Sequence, residues 1–279
     1  MKAYAFALTM LCLASCAEPA NSSAAQATTK SDTYVPVPGQ AGKDVVWVPT
    51  PEALVSRMLD MAKVTSKDHL VDLGSGDGRT VIAAAKRGVR AHGIEYNPDL
   101  VALAERNARA ASVADLATFE RADIFKSDFS KATVVTLFLL PELNMKLRPI
   151  LLDMKPGTRV VSNSFDMGVW QPDEKIEAGT SCTSWCRAFK WVIPAKVQGD
   201  WRLGNGDLKL TQSFQFLTGT LTQAGATMSL NDAKLDGSAI SFTAGGQRYS
   251  GTVDAGRMTG TRQDGSKWTA TLAVAGATN

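Results

Sequence analysis

The sequence predicts an α/β fold, a Rossmann-like sheet with helices, followed by a small antiparallel all-β C-terminal domain, barrel or meander. Three observations predict it. Between His69 and Ser162, short apolar runs alternate with stretches of helical periodicity. That is the pattern of βαβ units, a parallel sheet and right-handed crossovers. The stretch Leu70-Val71-Asp72-Leu73-Gly74-Ser75-Gly76-Asp77-Gly78-Arg79 reads as an apolar strand, a glycine-rich turn and the start of a helix. From about Val197 glycine and threonine rise, and short alternating runs follow one another between turn residues, the mark of an antiparallel meander or small barrel.

The 279 residues have room for one large or two modest domains, and a hydrophobic content of 44% supplies a real core. The net charge of +3 is small and scattered, so nucleic acid is not expected as a partner. No apolar run in the body is long enough for a transmembrane helix.

At the N-terminus, Lys2 is a basic n-region and Ala3 to Ala14 a short apolar core, so 1–15 reads as a signal peptide. Leu13-Ala14-Ser15-Cys16 resembles a bacterial lipobox. The resemblance implies cleavage before Cys16, lipidation of that cysteine and attachment to a membrane through the lipid. Ala17 after it implies the outer membrane, hence a periplasm-facing lipoprotein of the cell envelope. A plain signal peptide and an uncleaved anchor are the alternatives, and a misread signal would leave the protein cytoplasmic. Residues 16–33, rich in Ala, Ser and Thr, read as a flexible linker.

The first domain is expected over 34–194. Tyr34 to Pro51 carries four prolines and is extended or turning. Leu54, Val55, Met58, Leu59 and Ala62 then recur at helical spacing. Pro51 suits the first turn and Thr50 a cap. Strands follow over His69–Leu73, Val89–Ile94, Leu116–Glu120, Thr133–Leu140 and Arg159–Ser162, with helices over Thr80–Arg87, Pro98–Ala111 and Leu143–Met154. Lys175–Ala178 and Ala188–Ile193 are candidate antiparallel edge strands. Between them lie Cys182 and Cys186. In an exported protein a disulfide is expected over free thiols, provided the segment turns. A metal site has too few ligands, because His69 and His92 are far away in sequence. A hydrolase triad has equally little support.

The second domain spans 197–279, with runs at Leu208–Leu210, Phe214–Leu221, Thr227–Leu230, Ala239–Thr243, Arg248–Val253, Met258–Arg262 and Trp268–Leu272. It contains no catalytic constellation, which leaves binding or a structural role.

The glycine turn carries the chemistry. Glycines at every second position open torsions closed to other residues and let a ligand approach the main chain at a helix N-terminus. An ordinary strand-to-helix turn rarely needs three. The spacing G-x-G-x-G, with Asp72 two residues ahead of the first glycine, differs from the dinucleotide fingerprint and disfavours a nicotinamide oxidoreductase. It resembles motif I of the class I S-adenosylmethionine (SAM) methyltransferases. Glu95 in Gly93-Ile94-Glu95-Tyr96-Asn97 and Asp123 in Arg121-Ala122-Asp123-Ile124-Phe125 then resemble motifs II and III, in the right order. More closely, Val48 to Pro172 resembles the small protein-lysine methyltransferases that include the enzyme acting on the c-subunit of ATP synthase. The matching segments are Val48-Pro49-Thr50-Pro51, Asp72 to Arg79, Gly93 to Pro98 and the strand ending Leu139-Leu140-Pro141.

The resemblance implies a seven-stranded methyltransferase sheet, SAM as cofactor and a protein lysine as acceptor. Cofactor contacts would come from Thr50, Asp72, Gly74, Ser75, Gly76, Gly78, Glu95, Tyr96, Asp123 and Ile124, with Val48–Pro51 as a cover. Glu95 would accept the ribose hydroxyls, Asp123 the adenine amino group, and Asp72 would orient the turn and reach the methionine amine. A solvated strand-end acid at Glu95 and a capping role for Asp123 are the structural alternatives. Leu139, Leu140 and Pro141 follow the fourth strand, where the acceptor is met, and Asn163 and Phe165 are placed to line the same mouth. No catalytic acid or base is implied, since methyl transfer needs mainly alignment. The Asx-Pro-Pro-aromatic motif of many amine methylases is absent. An exported enzyme would need SAM from across a membrane. The alternative is therefore a lipoprotein with a non-catalytic methyltransferase-like scaffold and a ligand- or envelope-binding β domain.

Overall fold

A computed structural model describes residues 34–177, 182 and 184–273, together with Met1. The rest of the expected signal peptide, the expected linker with Cys16, and Ala178 at the end of one expected strand lie outside the described residues. The first half runs α1 (Glu52–Met61), β1 (His69–Leu73), α2 (Arg79–Ala85), β2 (Arg90–Glu95), α3 (Pro98–Ala110), β3 (Ala117–Arg121), β4 (Val134–Leu137), α4 (Pro141–Leu152), β5 (Arg159–Asn163), β6 (Glu174–Glu177) and β7 (Arg187–Val192). These strands make the expected seven-stranded sheet in the order β3-β2-β1-β4-β5-β7-β6. The first five are parallel, and β7 runs antiparallel to both β5 and β6.

Neighbouring residues of the central strands serve opposite cores. Leu70 and Val134 pack with Leu54, Leu59 and Val81 of α1 and α2. Val71 and Val135 pack with Leu147 and Leu151 of α4 and with Trp170 and Trp191. Burial on both faces is what a parallel sheet between helices demands, and it explains the unbroken apolar runs. β1 lies between β2 and β4, so the direction of winding reverses there. Open α/β sheets receive ligands in the crevice beyond the strand ends at that point.

Three expectations need correction in this half. The fourth strand stops at Leu137 rather than Leu140, because its ladder partners end with Leu73 of β1 and Ser162 of β5. The chain then turns into α4, which starts at Pro141 rather than Leu143. Proline suits the first helical position and holds Leu140 extended. Thr50 does not cap α1: Pro51 stands at that position with no side-chain cap.

The second half is β8 (Gly199–Leu203), β9 (Gly206–Ser213), β10 (Phe216–Gln223), β11 (Ala226–Ser229), β12 (Asn231–Asp236), β13 (Ala239–Ala244), β14 (Gln247–Asp254), β15 (Arg257–Arg262) and β16 (Lys267–Leu272). Pairing of β9 with both β8 and β10 closes it into a barrel. β11 and β12 share one place beside β10. Of the two architectures expected, it is the barrel. Strands β8 and β12 do not stand out in the sequence pattern, because each turns only two apolar residues inward, Trp201 and Leu203 or Ala233 and Leu235. Trp201, Leu221, Phe242 and Trp268 fill the interior. The barrel docks on the sheet through Gln215, which is buried. The Trp170 indole N–H donates to its side-chain oxygen at 2.9 Å, its amide donates to the Gln171 carbonyl at 2.7 Å, and Phe214 stacks on Trp170 at 5.6 Å.

Candidate active site

The glycine turn follows β1 directly and lies at the reversal point of the sheet. Its path is fixed by main-chain bonds: the Gly74 and Ser75 amides both donate to the Ile94 carbonyl of β2, and the Gly78 amide donates to the Ser75 carbonyl. Gly76 and Gly78 have φ of +54° and +82°, conformations that side-chain-bearing residues seldom adopt. A Cβ on Gly78 would also stand 2.7 Å from the Phe119 ring and 2.8 Å from Ala104. The turn therefore needs glycine for both torsion and space.

Glu95 ends β2 and points its carboxylate back at the turn. One oxygen accepts the Gly76 amide at 3.0 Å, and the other accepts the Asn97 amide at 2.9 Å. It is half-buried and oriented, not a solvated strand end. Asp123 accepts the Phe125 amide at 3.0 Å and so does cap its own turn. Its other oxygen takes the Lys43 ammonium at 2.9 Å. That bond holds the Asp123 carboxyl below its ordinary value. Tyr96 and Ile124 line the same cavity as Glu95 and Asp123, and Lys43 sits over the Tyr96 ring at 5.1 Å.

Asp72 is buried beneath the turn, with a bond from the Thr136 hydroxyl at 2.6 Å. Burial pushes its carboxyl up to about 7, against the pull of that bond. It lines a second, smaller cavity with Ser75, Gly76 and Thr80. The Ser75 hydroxyl in that cavity is buried and has no hydrogen-bond partner among the described residues. An orphaned hydroxyl and a half-protonated buried acid are costly in a folded protein. Both would be relieved by a ligand bearing a cationic amine.

The two cavities are covered by a short hairpin before α1. The Gly39 amide donates to the Trp47 carbonyl and the Trp47 amide donates to that of Gln40, and Ala41 bridges Val46. Trp47 lines both cavities, and its indole nitrogen is 2.5 Å from where a Gly76 Cβ would lie. The cover is thus wider than Val48–Pro51. Sequence reasoning misses Trp47 and Lys43, although a tryptophan inside an extended, proline-bearing segment is an available signal. Thr50 borders the smaller cavity and accepts a bond from Asn163 at 3.2 Å.

Of the acceptor-side residues, Leu139 lines the larger cavity, whereas Leu140 is 43% exposed and lines a separate apolar groove beside it. Pro141 sits in the first turn of α4. Asn163 is fully buried as a tie to Thr50 and Ser164, so it does not line the mouth. Cys182 and Cys186 are joined by a disulfide, with their Cα atoms 5.7 Å apart. Among the described residues no cluster of metal-ligating side chains occurs and no helix is long and apolar enough to cross a membrane.

Residues 72–174 match the family model of the ANTKMT methyltransferase domain. A protein-lysine N-methyltransferase of Saccharolobus islandicus is 45% identical over 140 residues, covering 48% of this chain and 87% of that protein. The chain belongs to the protein-lysine N-methyltransferase family. It is thereby a SAM-dependent methyltransferase in its α/β half. The mouse adenine nucleotide translocase lysine N-methyltransferase is 40% identical over 113 residues, covering 40% of this chain and 49% of that protein. The mouse lysine N-methyltransferase of the ATP synthase c-subunit is 37% identical over 134 residues, and the chain spans 54% of that protein. A solved structure, an RNA methyltransferase from Salinibacter ruber with S-adenosyl-L-homocysteine, is 51% identical. It covers 54% of this chain and 96% of its own, with a TM-score of 0.50.

Proposed function

We propose that this methyltransferase transfers a methyl group from SAM to the side-chain amine of a lysine in a protein. The observation that carries the reading is the 45% identity to a protein-lysine N-methyltransferase across 87% of that protein's length. When bound, SAM supplies a sulfonium-activated methyl group for in-line displacement by an amine. The chain's part is to bind, orient and exclude water. Glu95, already oriented by two amides, would accept the ribose diol. Asp123 and Ile124 would face the adenine end, with Tyr96 beside them. Asp72, Ser75 and the amides around Gly74, Gly76 and Gly78 would take the amino-acid end, and Thr50 would close that side. Leu139, Leu140 and Pro141 would border the entry of the acceptor.

An RNA acceptor is the second reading, favoured by the description of the Salinibacter ruber protein. Against it stands the residue chemistry at the mouth. A site that holds RNA needs a cluster of cations for phosphates, and the apolar surface beside Leu140 supplies none. The two separate in one experiment: SAM with a labelled methyl group is incubated with the protein and either denatured cell-envelope protein or total RNA. Label recovered as methyl-lysine after hydrolysis supports the protein reading, and label recovered only in RNA overturns it. The same proposal includes export and lipidation at Cys16, which would tether the enzyme to a membrane. Incorporation of labelled palmitate is expected in the wild type and not in Cys16→Ala. Equal labelling of both would remove that part.

A further inference from the structure

Beyond the cofactor cleft, three loops bring aromatic rings together. Phe138 follows β4, Phe165 follows β5, and Trp185 lies in the loop closed by the Cys182–Cys186 disulfide. Ring centroids are 6.1 Å apart for Phe138 and Phe165, 5.8 Å for Phe138 and Trp185, and 5.6 Å for Phe165 and Trp185. With Val46, Val48 and Leu140 these rings border a groove of about 110 Å³ that no charged residue lines. Phe138 lines this groove and also both cofactor cavities. It is therefore the wall between donor and groove.

The arrangement is held from outside. The Asn144 side-chain Nδ2 donates to the Phe165 and Asp166 carbonyls at 3.3 and 3.1 Å. The Ser164 amide donates to the carbonyl of Arg187, the residue after Cys186, at 2.8 Å. Trp185 has φ of +57° and remains 44% exposed. A bulky side chain in the left-handed region persists only where its surroundings fix it. Here the disulfide brackets it, three residues before and one after.

We propose that this groove is the acceptor site, taking an alkylammonium side chain against the faces of Phe138, Phe165 and Trp185, and that the Cys182–Cys186 disulfide positions Trp185 to do so. The proposal rests on the lysine reading above. Aromatic faces attract cations, and more so when the cation sheds its water readily. In each transfer the ammonium first gives a proton to water. The neutral nitrogen then forms its bond to the methyl carbon as the carbon–sulfur bond breaks, and S-adenosyl-L-homocysteine leaves. A methylated ammonium is held better than a bare one, so the site would retain the lysine between transfers.

The test is a titration of the full chain, saturated with S-adenosyl-L-homocysteine, with Nα-acetyl-lysine amide and its Nε-trimethyl counterpart, followed by NMR. The trimethyl probe is expected to bind the wild type more tightly than the unmethylated one. Trp185→Ala and the Cys182→Ser/Cys186→Ser double variant are each expected to lose about tenfold of that affinity, while Trp185→Phe keeps it. Affinity for S-adenosyl-L-homocysteine, read by calorimetry, is expected to be unchanged in all of them, which also reports folding. Trimethyl binding undiminished in Trp185→Ala would overturn the aromatic site. Undiminished binding in the cysteine double variant would overturn the role of the disulfide. A wild type that fails to bind S-adenosyl-L-homocysteine would instead overturn the functional reading beneath both.

Discussion

The two halves of the molecule use glycine and burial in opposite ways. In the α/β half the glycines of the turn sit where backbone meets side chains, Gly76 under Trp47 and Gly78 against Phe119, and beneath the turn an acid and a hydroxyl are buried without full satisfaction. In the barrel, glycines sit where backbone meets backbone. A Cβ on Gly260 would lie 2.0 Å from the Ser250 carbonyl oxygen, and one on Gly251 2.5 Å from that of Thr259. The barrel interior is filled by its own rings, with Phe242 stacked on Tyr249 at 4.7 Å. One half keeps buried polar groups beneath its turn, and the other packs its interior with its own apolar side chains. The methyltransferase family model matches residues 72–174, so the catalytic role belongs to the first half.

The sharpest way to break this contrast is Gly260→Ala. Forcing a methyl group into a backbone contact is expected to cost about 3 kcal/mol of stability, seen as a lowered denaturation midpoint. Affinity for SAM, measured well below the melting transition, should be unaffected. Coupled loss of both would mean that the cleft depends on the barrel. Glu95→Ala is the converse variant: it is expected to weaken SAM binding by roughly 1–3 kcal/mol, the loss of a charged acceptor, with little change in melting temperature. Unchanged affinity would show that the ribose is held elsewhere.

A smaller effect follows from Asp72. Its carboxyl titrates near 7 in the fold, and only the ionised form attracts a cationic amine. SAM affinity should therefore fall about tenfold between pH 8 and pH 6, and Asp72→Asn should flatten that dependence. Without ligand the sign reverses. The folded carboxyl keeps its proton up to about pH 7, whereas the unfolded one releases it near 4, so stability declines as the pH rises through that window. The smallest effect is expected of Lys43→Ala. The Lys43–Asp123 pair is exposed enough to be screened, so removing it should change SAM affinity by no more than about threefold. A larger change would make the hairpin cover a true gate.

Much of this is legible in the sequence. The glycine spacing, Asp72, Glu95 and Asp123 belong to strand ends of a parallel sheet, where pattern and chemistry coincide, and the structure places them around two cavities that share Trp47 and Phe138. What stays hidden depends on contacts between distant segments. Lys43 and Trp47 reach the cleft only because the hairpin folds over it. The aromatic groove needs three loops from separate parts of the chain. Asn163 is a mouth residue by position, but its partner Thr50 lies 113 residues away in sequence and draws it inward. The end of β4 is hard to place because the apolar run continues past the ends of its ladder partners, while β8 and β12 carry too few apolar residues to stand out.

Calorimetric titration of the full chain with SAM tests the central claim most directly. The account predicts saturable binding at one site, weakened in Glu95→Ala and strengthened as the pH rises from 6 to 8. An absence of binding at millimolar SAM, in a protein that melts cooperatively, would contradict it.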